Sequence, residues 1–302
     1  MSFLIRVPAT SANLGPGFDC LGLALDLWNE IEVEITGDHL QIIVEGEGKS
    51  SVPANQNNAI FKAMKTYADQ YHRSLPSGIK LHCRNYIPLG AGLGSSAAAA
   101  VGGILAASAI LELAEDQNDQ LNCATQIEGH PDNVAPCLLG GLVSAVIENG
   151  QVTARNLPIT PLSLVIVVPD FHFPTKASRA TLPEKVSRQD VIFNLSRLVC
   201  LTDALAKGDL ELLPVAMQDR IHQPYRIPLI PGASAAMSAA REAGAAAVVL
   251  SGAGPSLLAV LRNASDQKNV SNSMIESFKQ AGLSASVLIP GISFNGASIT
   301  SV

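Results

Sequence analysis

Apolar and polar residues alternate strictly over 30–35, Glu-Ile-Glu-Val-Glu-Ile, which predicts a strand with one buried face. Residues 3–7 and 40–45 read in the same style, and Ile79, Leu81 and Cys83 alternate with polar neighbours over 79–84. Elsewhere the period lengthens. Ile60, Met64, Tyr67 and Tyr71 recur at helical spacing behind Asn57 or Asn58, either of which suits a helix N-cap. The stretch Ala97–Leu113 is almost wholly apolar and alanine-rich, which predicts a helix buried on all sides. A further helix over 118–128 stops before Pro131, and strands follow at 142–147 and 162–168.

The second half predicts helices at 188–207, near 209–220, at 233–243 and at 266–281. Its predicted strands are 245–250, 256–261 and 284–289. Residues beyond about 292 carry no pattern and read as a loose tail. Strands and helices mixed in both halves argue for an α+β fold. Pro158 and Pro161 bracket a break, so a boundary is placed near 160, with domains at 1–160 and 161–302.

Composition narrows the class. The 302 residues suffice for one large core or two medium ones, and 47% apolar with 15% charged leaves little room for long disordered tails. The net charge of −6, with no lysine- or arginine-rich run, argues against a nucleic-acid partner. Five scattered cysteines (Cys20, Cys83, Cys123, Cys137, Cys200) lack metal-ligand spacing and read as small buried residues in a reducing compartment. The first residues, Met-Ser-Phe-Leu-Ile-Arg, do not resemble a signal peptide. The apolar run after Ala97 contains Gly102, Gly103 and Ser108 and has no basic anchors, so a cytoplasmic protein without a membrane partner is expected.

The densest chemistry lies between the strand at 79–84 and the alanine-rich helix, where the chain reads Pro88-Leu89-Gly90-Ala91-Gly92-Leu93-Gly94-Ser95-Ser96-Ala97-Ala98. Alternate glycines let backbone N–H groups approach an anion, and a helix start adds unpaired N–H groups and partial positive charge. The segment therefore predicts a phosphate cradle. A tight turn with Ser95 or Ser96 as a cap would use fewer glycines. No lysine follows Gly94, so this is not a Walker loop, and Ser95 stands where a dinucleotide fingerprint needs its third glycine.

Other segments offer candidates with ordinary alternatives beside them. Pro8–Asp19 is dense in turn formers and small polar groups, and its Asp19 enters the apolar run 20–25, where a carboxylate needs a partner. Leu121, Ala124 and Glu128 share a helix face, so Glu128 is either ion-paired or bound to a metal. Behind it, His130, Asp132 and Asn133 are either turn residues or, for Asn133, a hydrogen-bonder of a substrate hydroxyl. Ser251–Ser256 reads as a glycine hairpin whose Gly252 and Gly254 would brace the first glycine loop if the two pack together. Arg179 and Arg226 sit beside turns and read either as solvated surface arginines or as forks for a carboxylate.

Taken in order, Pro8–Asp19, Pro88–Ala98 and Ser251–Ser256 resemble the three signature segments of the GHMP kinases, spanning most of the chain. The wording of Pro8–Asp19, with Glu128–Pro136, is most similar to members that phosphorylate the side-chain hydroxyl of L-homoserine in threonine biosynthesis. The resemblance implies an N-terminal domain like ribosomal protein S5 domain 2 and a ferredoxin-like C-terminal domain, with the active site between them. It implies that Pro88–Ala98 wraps the phosphates of ATP and that Ser96 and Glu128 hold Mg²⁺. Asn13, Asp19, His130 and Asn133 would line the homoserine pocket, and Arg179 and Arg226 would clamp its carboxylate. Asp19, Asn133 and Glu128 would be the catalytic group, with Asp19 either taking the hydroxyl proton or holding the ammonium. A homodimer is expected. A mevalonate-type kinase, a silent metabolite sensor of the same fold and a dinucleotide oxidoreductase remain as alternatives.

Overall fold

The computed structural model describes residues 2–302. The first sheet has seven strands: β1 (Ser2–Ala12), β2 (Leu21–Ile35), β3 (Gln41–Gly46), β4 (Ile79–Asn85), β5 (Leu142–Glu148), β6 (Gln151–Leu157) and β11 (Ser298–Ser301). Its order is β11-β1-β2-β4-β3, with β5 joined to the start of β2 and β6 to β5. The period-two pattern is realised on β2, where Ile31 and Val33 are buried and Glu30, Glu32 and Glu34 face the other way. The second sheet holds β7 (Leu164–Pro169), β8 (Ala245–Leu250), β9 (Leu257–Leu261) and β10 (Ala285–Leu288), all antiparallel, in the order β10-β7-β9-β8.

Four helices cover the first sheet: α1 (Ala59–Gln70), α2 (Ser95–Ile110), α3 (Gln117–Glu128) and α4 (Pro131–Leu139). Asn58 caps α1, its side-chain oxygen accepting from the Ile60 N–H at 2.9 Å. α2 is the central helix and is apolar all round because it lies between α1 and the sheet. A Cβ on Gly103 would stand 2.3 Å from the Ile60 carbonyl oxygen, so this glycine sets the close approach of α2 to α1. The second half adds α5 (Thr175–Ala180), α6 (Arg188–Lys207), α7 (Leu213–Ala216), α8 (Gln223–Arg226), α9 (Ala233–Glu242) and α10 (Gln267–Gln280). α9 and α10 pack on one face of the second sheet, and the other face joins the main core beside Leu201, Leu205 and Leu213. β8 and β9 are buried on both faces, which is why they read as continuous apolar runs.

Four expectations are corrected. Pro131 does not only end a helix; it begins α4 as its first residue, where a missing N–H costs nothing. β6 was not expected, and it forms because Asn149 and Gly150 adopt positive φ in a hairpin turn. The segment after 292 is not a loose tail. β11 pairs antiparallel with β1, placing Ile299 opposite Ile5. Only the single turn α7 stands where a longer helix over 209–220 is predicted, since Pro214 falls at its start. All five cysteines are free; Cys83, Cys123 and Cys137 are buried, while Cys20 and Cys200 are half-buried. Among the described residues no helix is long and apolar enough to cross a membrane.

Candidate active site

The glycine loop joins β4 to α2. Gly90, Gly92 and Gly94 have φ of 64°, 77° and 71°, the left-handed region that glycine enters freely. The fit around them is close: a Cβ on Gly92 would lie 2.3 Å from the Ser251 carbonyl oxygen, and one on Gly94 2.0 Å from Thr10 Oγ1. The loop's carbonyls are tied to the protein. The Leu93 carbonyl accepts from the Thr10 N–H (3.1 Å), that of Ala91 from the Ser256 N–H (3.3 Å), and that of Gly92 from Ser251 Oγ (2.7 Å). Among the described residues no protein acceptor takes the N–H groups of the three glycines. Pinned carbonyls and open N–H groups at a helix start form an anion cradle.

The β8–β9 loop, Ser251–Ser256, lies directly against this cradle. The Gly254 backbone abuts Gly92, and a Cβ on Gly252 would sit 3.2 Å from the Gly92 carbonyl oxygen. The Gly252 N–H donates to the Ala12 carbonyl (3.1 Å), and Asn13 Nδ2 donates to the Gly252 carbonyl (3.0 Å). The two glycine loops therefore lock together across the two sheets.

One cleft gathers Asn13, Asp19, the loop from Gly90 to Ser96, Glu128, His130, Asn133, Arg179, Arg226 and Gly252. Pro88, Leu89, Ala97, Ala98 and Gly254 are not on its wall. Ala97 is fully buried under the loop, and Leu89 and Ala98 line an adjoining cavity with Val7, Ile31, Val44, Asn58, Cys83 and Asn85. Gly90, Ser95 and Ser96 border both spaces, so the helix start separates an apolar cavity from a polar cleft.

Ser96 Oγ donates to Glu128 Oε2 at 2.7 Å, bringing the first turn of α2 to the end of α3. Glu128 has no cationic partner among the described residues, so it is not the ion-paired carboxylate that its helix face allowed. His130 Nδ1 lies 2.5 Å from Asp132 Oδ1. Burial opposes the charged imidazole, but the carboxylates of Asp132, Glu128 and Asp19 outweigh it and raise the His130 pKa above 6.5. Asn133 is buried and accepts from Thr10 Oγ1 at 2.8 Å.

The opposite wall is charged. Asp19, at a φ of 58°, is half-buried and takes the Arg179 fork on both oxygens, at 2.7 and 2.8 Å. Arg179 thus reaches the cleft with its paired donors already engaged. Arg226 is not a solvated arginine: it is 2% exposed. Its Nη1 donates to His222 Nδ1 (3.2 Å) and to the Gly252 carbonyl (3.4 Å), while its Nε is buried without a partner. Desolvation, with Arg179 nearby, brings its pKa down to about 10. Phe18 lies under both guanidiniums, 5.6 Å from Arg179 and 5.2 Å from Arg226, and stacks on His222.

Thr10, Phe18 and Ser251 take part from within segments the sequence marks, and Asp132, read there as a turn residue, partners His130. His222 lies outside every marked segment, and its one signal is the four-residue spacing to Arg226.

The GHMP kinases N terminal domain family matches residues 58–141, and the GHMP kinases C terminal family matches 201–280. Homoserine kinase of Moorella thermoacetica is 46% identical over 285 residues, 94% of this chain and 95% of that protein. The chain belongs to the homoserine kinase family of GHMP kinases. A second homoserine kinase, from Synechocystis, is 40% identical over 306 residues and is covered to 99%, as is this chain. The fold of this GHMP kinase also superposes on a crystal structure of homoserine kinase from Cytophaga hutchinsonii, with a TM-score of 0.87 at 29% identity over 99% of this chain and 97% of the other. L. major mevalonate kinase, at 16% identity and a TM-score of 0.73, shares the fold over 95% of this chain and 94% of its own.

Proposed function

We propose that this GHMP kinase transfers the γ-phosphoryl group of ATP to the side-chain hydroxyl of L-homoserine, giving O-phospho-L-homoserine and ADP. The observation that carries the proposal is the buried guanidinium of Arg226. A buried cation with an orphaned donor is costly unless a ligand supplies an anion. The Asp19 carboxylate shares its cleft wall, so that wall offers complements to both a carboxylate and an ammonium. A mevalonate-type acceptor has no ammonium for Asp19 to meet. The family relatives named homoserine kinase support the same acceptor.

ATP would lie with its base in the apolar cavity beside Asn58 and Asn85 and its phosphates on the Gly90–Ser96 N–H groups. The donor set beside those phosphates fits Mg²⁺. Glu128 is a carboxylate without a cation, and Ser96 Oγ stands 2.7 Å from it, both hard oxygen ligands that would be completed by phosphate oxygens. Held by Glu128 and Ser96, Mg²⁺ would supply charge neutralisation for the transferred phosphoryl group.

The chain's own residues then supply position. Arg226, with Arg179 beside it, holds the acceptor's carboxylate. Asp19 holds its ammonium through the lone pairs that its two bonds from Arg179 leave free. Asn133 and His130 flank the acceptor hydroxyl on the side of the phosphate cradle. A loose phosphoryl-transfer transition state needs alignment and charge neutralisation more than a strong base, so no residue is given the general-base role.

We further assign residues 1–160 and 161–302 to two domains. The sheet changes between β6 and β7, although β11 returns to the first sheet. The protein is proposed to work in the cytoplasm as a homodimer. Ile192, Leu195 and Val199 form an exposed apolar stripe on α6, at 60%, 58% and 70% exposure, which supports self-association.

The test of function is ADP release with Mg²⁺ and ATP over a panel of small hydroxy acids and amino alcohols. Homoserine should drive turnover and mevalonate should not. Turnover with mevalonate in place of homoserine, or with neither, would overturn the assignment.

A further inference from the structure

We propose that His222 is a positioning residue for the acceptor site: its neutral, Nε2-protonated imidazole fixes the Arg226 guanidinium in line with the acceptor's carboxylate. The proposal rests on the role of Arg226 given above. It starts from a hydrogen-bond constraint. His222 is fully buried, and its Nε2 lies 2.8 Å from the Gly15 carbonyl oxygen. A carbonyl oxygen only accepts, so Nε2 carries the proton. On the other side, Nδ1 lies 3.2 Å from Arg226 Nη1. A guanidinium only donates, so Nδ1 must be bare. Both bonds are satisfied together by one tautomer of the uncharged ring and by no other state.

The surroundings enforce that state. Burial is the largest influence on the His222 pKa and, with the adjacent Arg226 charge opposing Asp219, lowers it from 6.5, which keeps the ring neutral. Asp219 Oδ2 is 3.6 Å from His222 Nε2, but its carboxylate is occupied by backbone. It accepts from the N–H groups of Ile221, His222 and Gln223 at 2.9, 3.0 and 2.7 Å, and from Asn194 Nδ2 at 2.7 Å. Phe18 closes the ring's face, stacked at 5.2 Å. The imidazole is thus immobilised on three sides.

The consequence for the cleft is geometric. Among the described residues, only Nη1 of the Arg226 guanidinium has protein partners, His222 Nδ1 and the Gly252 carbonyl. Two acceptors on one nitrogen fix the plane of the fork and leave its remaining donors without protein acceptors. His222 also links the two halves of the site, because Gly15 belongs to the N-terminal segment that carries Asn13 and Asp19. Gly15 can take that position because a Cβ there would stand 2.3 Å from the Met217 carbonyl oxygen.

The experiment compares His222→Asn, His222→Gln, His222→Ala and Arg226→Leu, with KM for homoserine, KM for ATP, kcat and Tm measured for each. Asn places an oxygen where Nδ1 stands and restores the acceptor for Arg226. Gln restores only the donor to Gly15. His222→Gln and His222→Ala should raise KM for homoserine on the order of 10- to 100-fold, the loss of one hydrogen bond to a buried charge, with KM for ATP within about two-fold. His222→Asn should stay within about three-fold of the parent on both. Parental KM for homoserine in His222→Gln, with a raised one in Arg226→Leu, would overturn the positioning role alone. Parental KM for homoserine in Arg226→Leu would overturn the role of Arg226 and this proposal with it. If Asn fails to rescue and Tm falls equally in all three His222 variants, the residue is only a packing element and the proposal is wrong.

Discussion

Arg226 and Asp19 divide the electrostatic work of the cleft unequally. Asp19 already has the Arg179 fork on both oxygens, whereas Arg226 has no carboxylate at salt-bridge distance among the described residues and contacts a neutral imidazole, a carbonyl and the ring of Phe18. The less compensated charge of this wall is therefore the cation of Arg226. On the opposite side, His130 shows how the acidic residues act on one another. Its pKa is raised although burial opposes the shift, because Asp132 at 2.5 Å and two further carboxylates favour the imidazolium. A raised folded-state value means that the pairing stabilises the fold fully below the unfolded value of about 6.5, and that this contribution fades as pH rises through the folded value. An NMR titration of the imidazole should place His130 above 6.5 and should find it lower in Asp132→Asn, where burial persists and the nearest carboxylate is gone. An unchanged value would show that Asp132 does not set it. Asp19 and Glu128 stood out in the sequence because a carboxylate in apolar company needs a partner, whereas His130 read as a turn residue and became a candidate only through the family resemblance. Whether Arg226 was buried was not legible, since an arginine beside Pro224 and Tyr225 looks the same on a surface turn as in a closed wall.

At the scale of elements, the glycine loop works because its neighbours hold its carbonyls. Gly92 is where the loop meets rigid backbone, with left-handed φ and the Ser251 carbonyl in the place of a Cβ. Gly92→Ala should cost about 1–3 kcal/mol in stability and raise KM for ATP more than KM for homoserine. Gly150→Ala is the control. Its φ of 77° imposes the same strain, but nothing stands within 4 Å of its Cβ, so it should lower Tm less and leave both KM values unchanged. Equal effects of the two on Tm and ATP affinity would contradict the close fit at Gly92. The loop, its strand and its helix could be read directly from residues 79–98, because alternation, glycines and an apolar run are local signals. α4 was hidden because Pro131 serves equally as a stop and a start. β11 was hidden because Ser-Ile-Thr-Ser becomes a strand only by pairing with β1. β6 follows an Asn-Gly turn, a local hairpin signal that the sequence does carry at Asn149 and Gly150.

At the scale of the whole molecule, two sheets are stitched where the chemistry is placed. Ser251 Oγ meets Ser11 Oγ at 2.8 Å, the Gly252 N–H meets the Ala12 carbonyl, and His222 meets Gly15. The cleft is thus shared, with Arg179, Arg226 and Gly252 from the second half and the remaining site groups from the first. The α+β class and the order of the signature segments were legible along the chain; the contacts between them were not, because they join residues up to 240 positions apart. The apolar stripe on α6 lies outside this cleft. Sedimentation should give the mass of two chains, and Leu195→Glu should shift it toward one; a single-chain mass for the parent protein would contradict the homodimer. The central claim is the acceptor and the atom phosphorylated, and it is tested most directly by the product formed from ATP, Mg²⁺ and L-homoserine. The account predicts one equivalent of ADP for each homoserine carrying a phosphate ester on its side-chain oxygen, identified by phosphorus NMR and mass. ADP released at the same rate without homoserine, or homoserine recovered unphosphorylated, would contradict it.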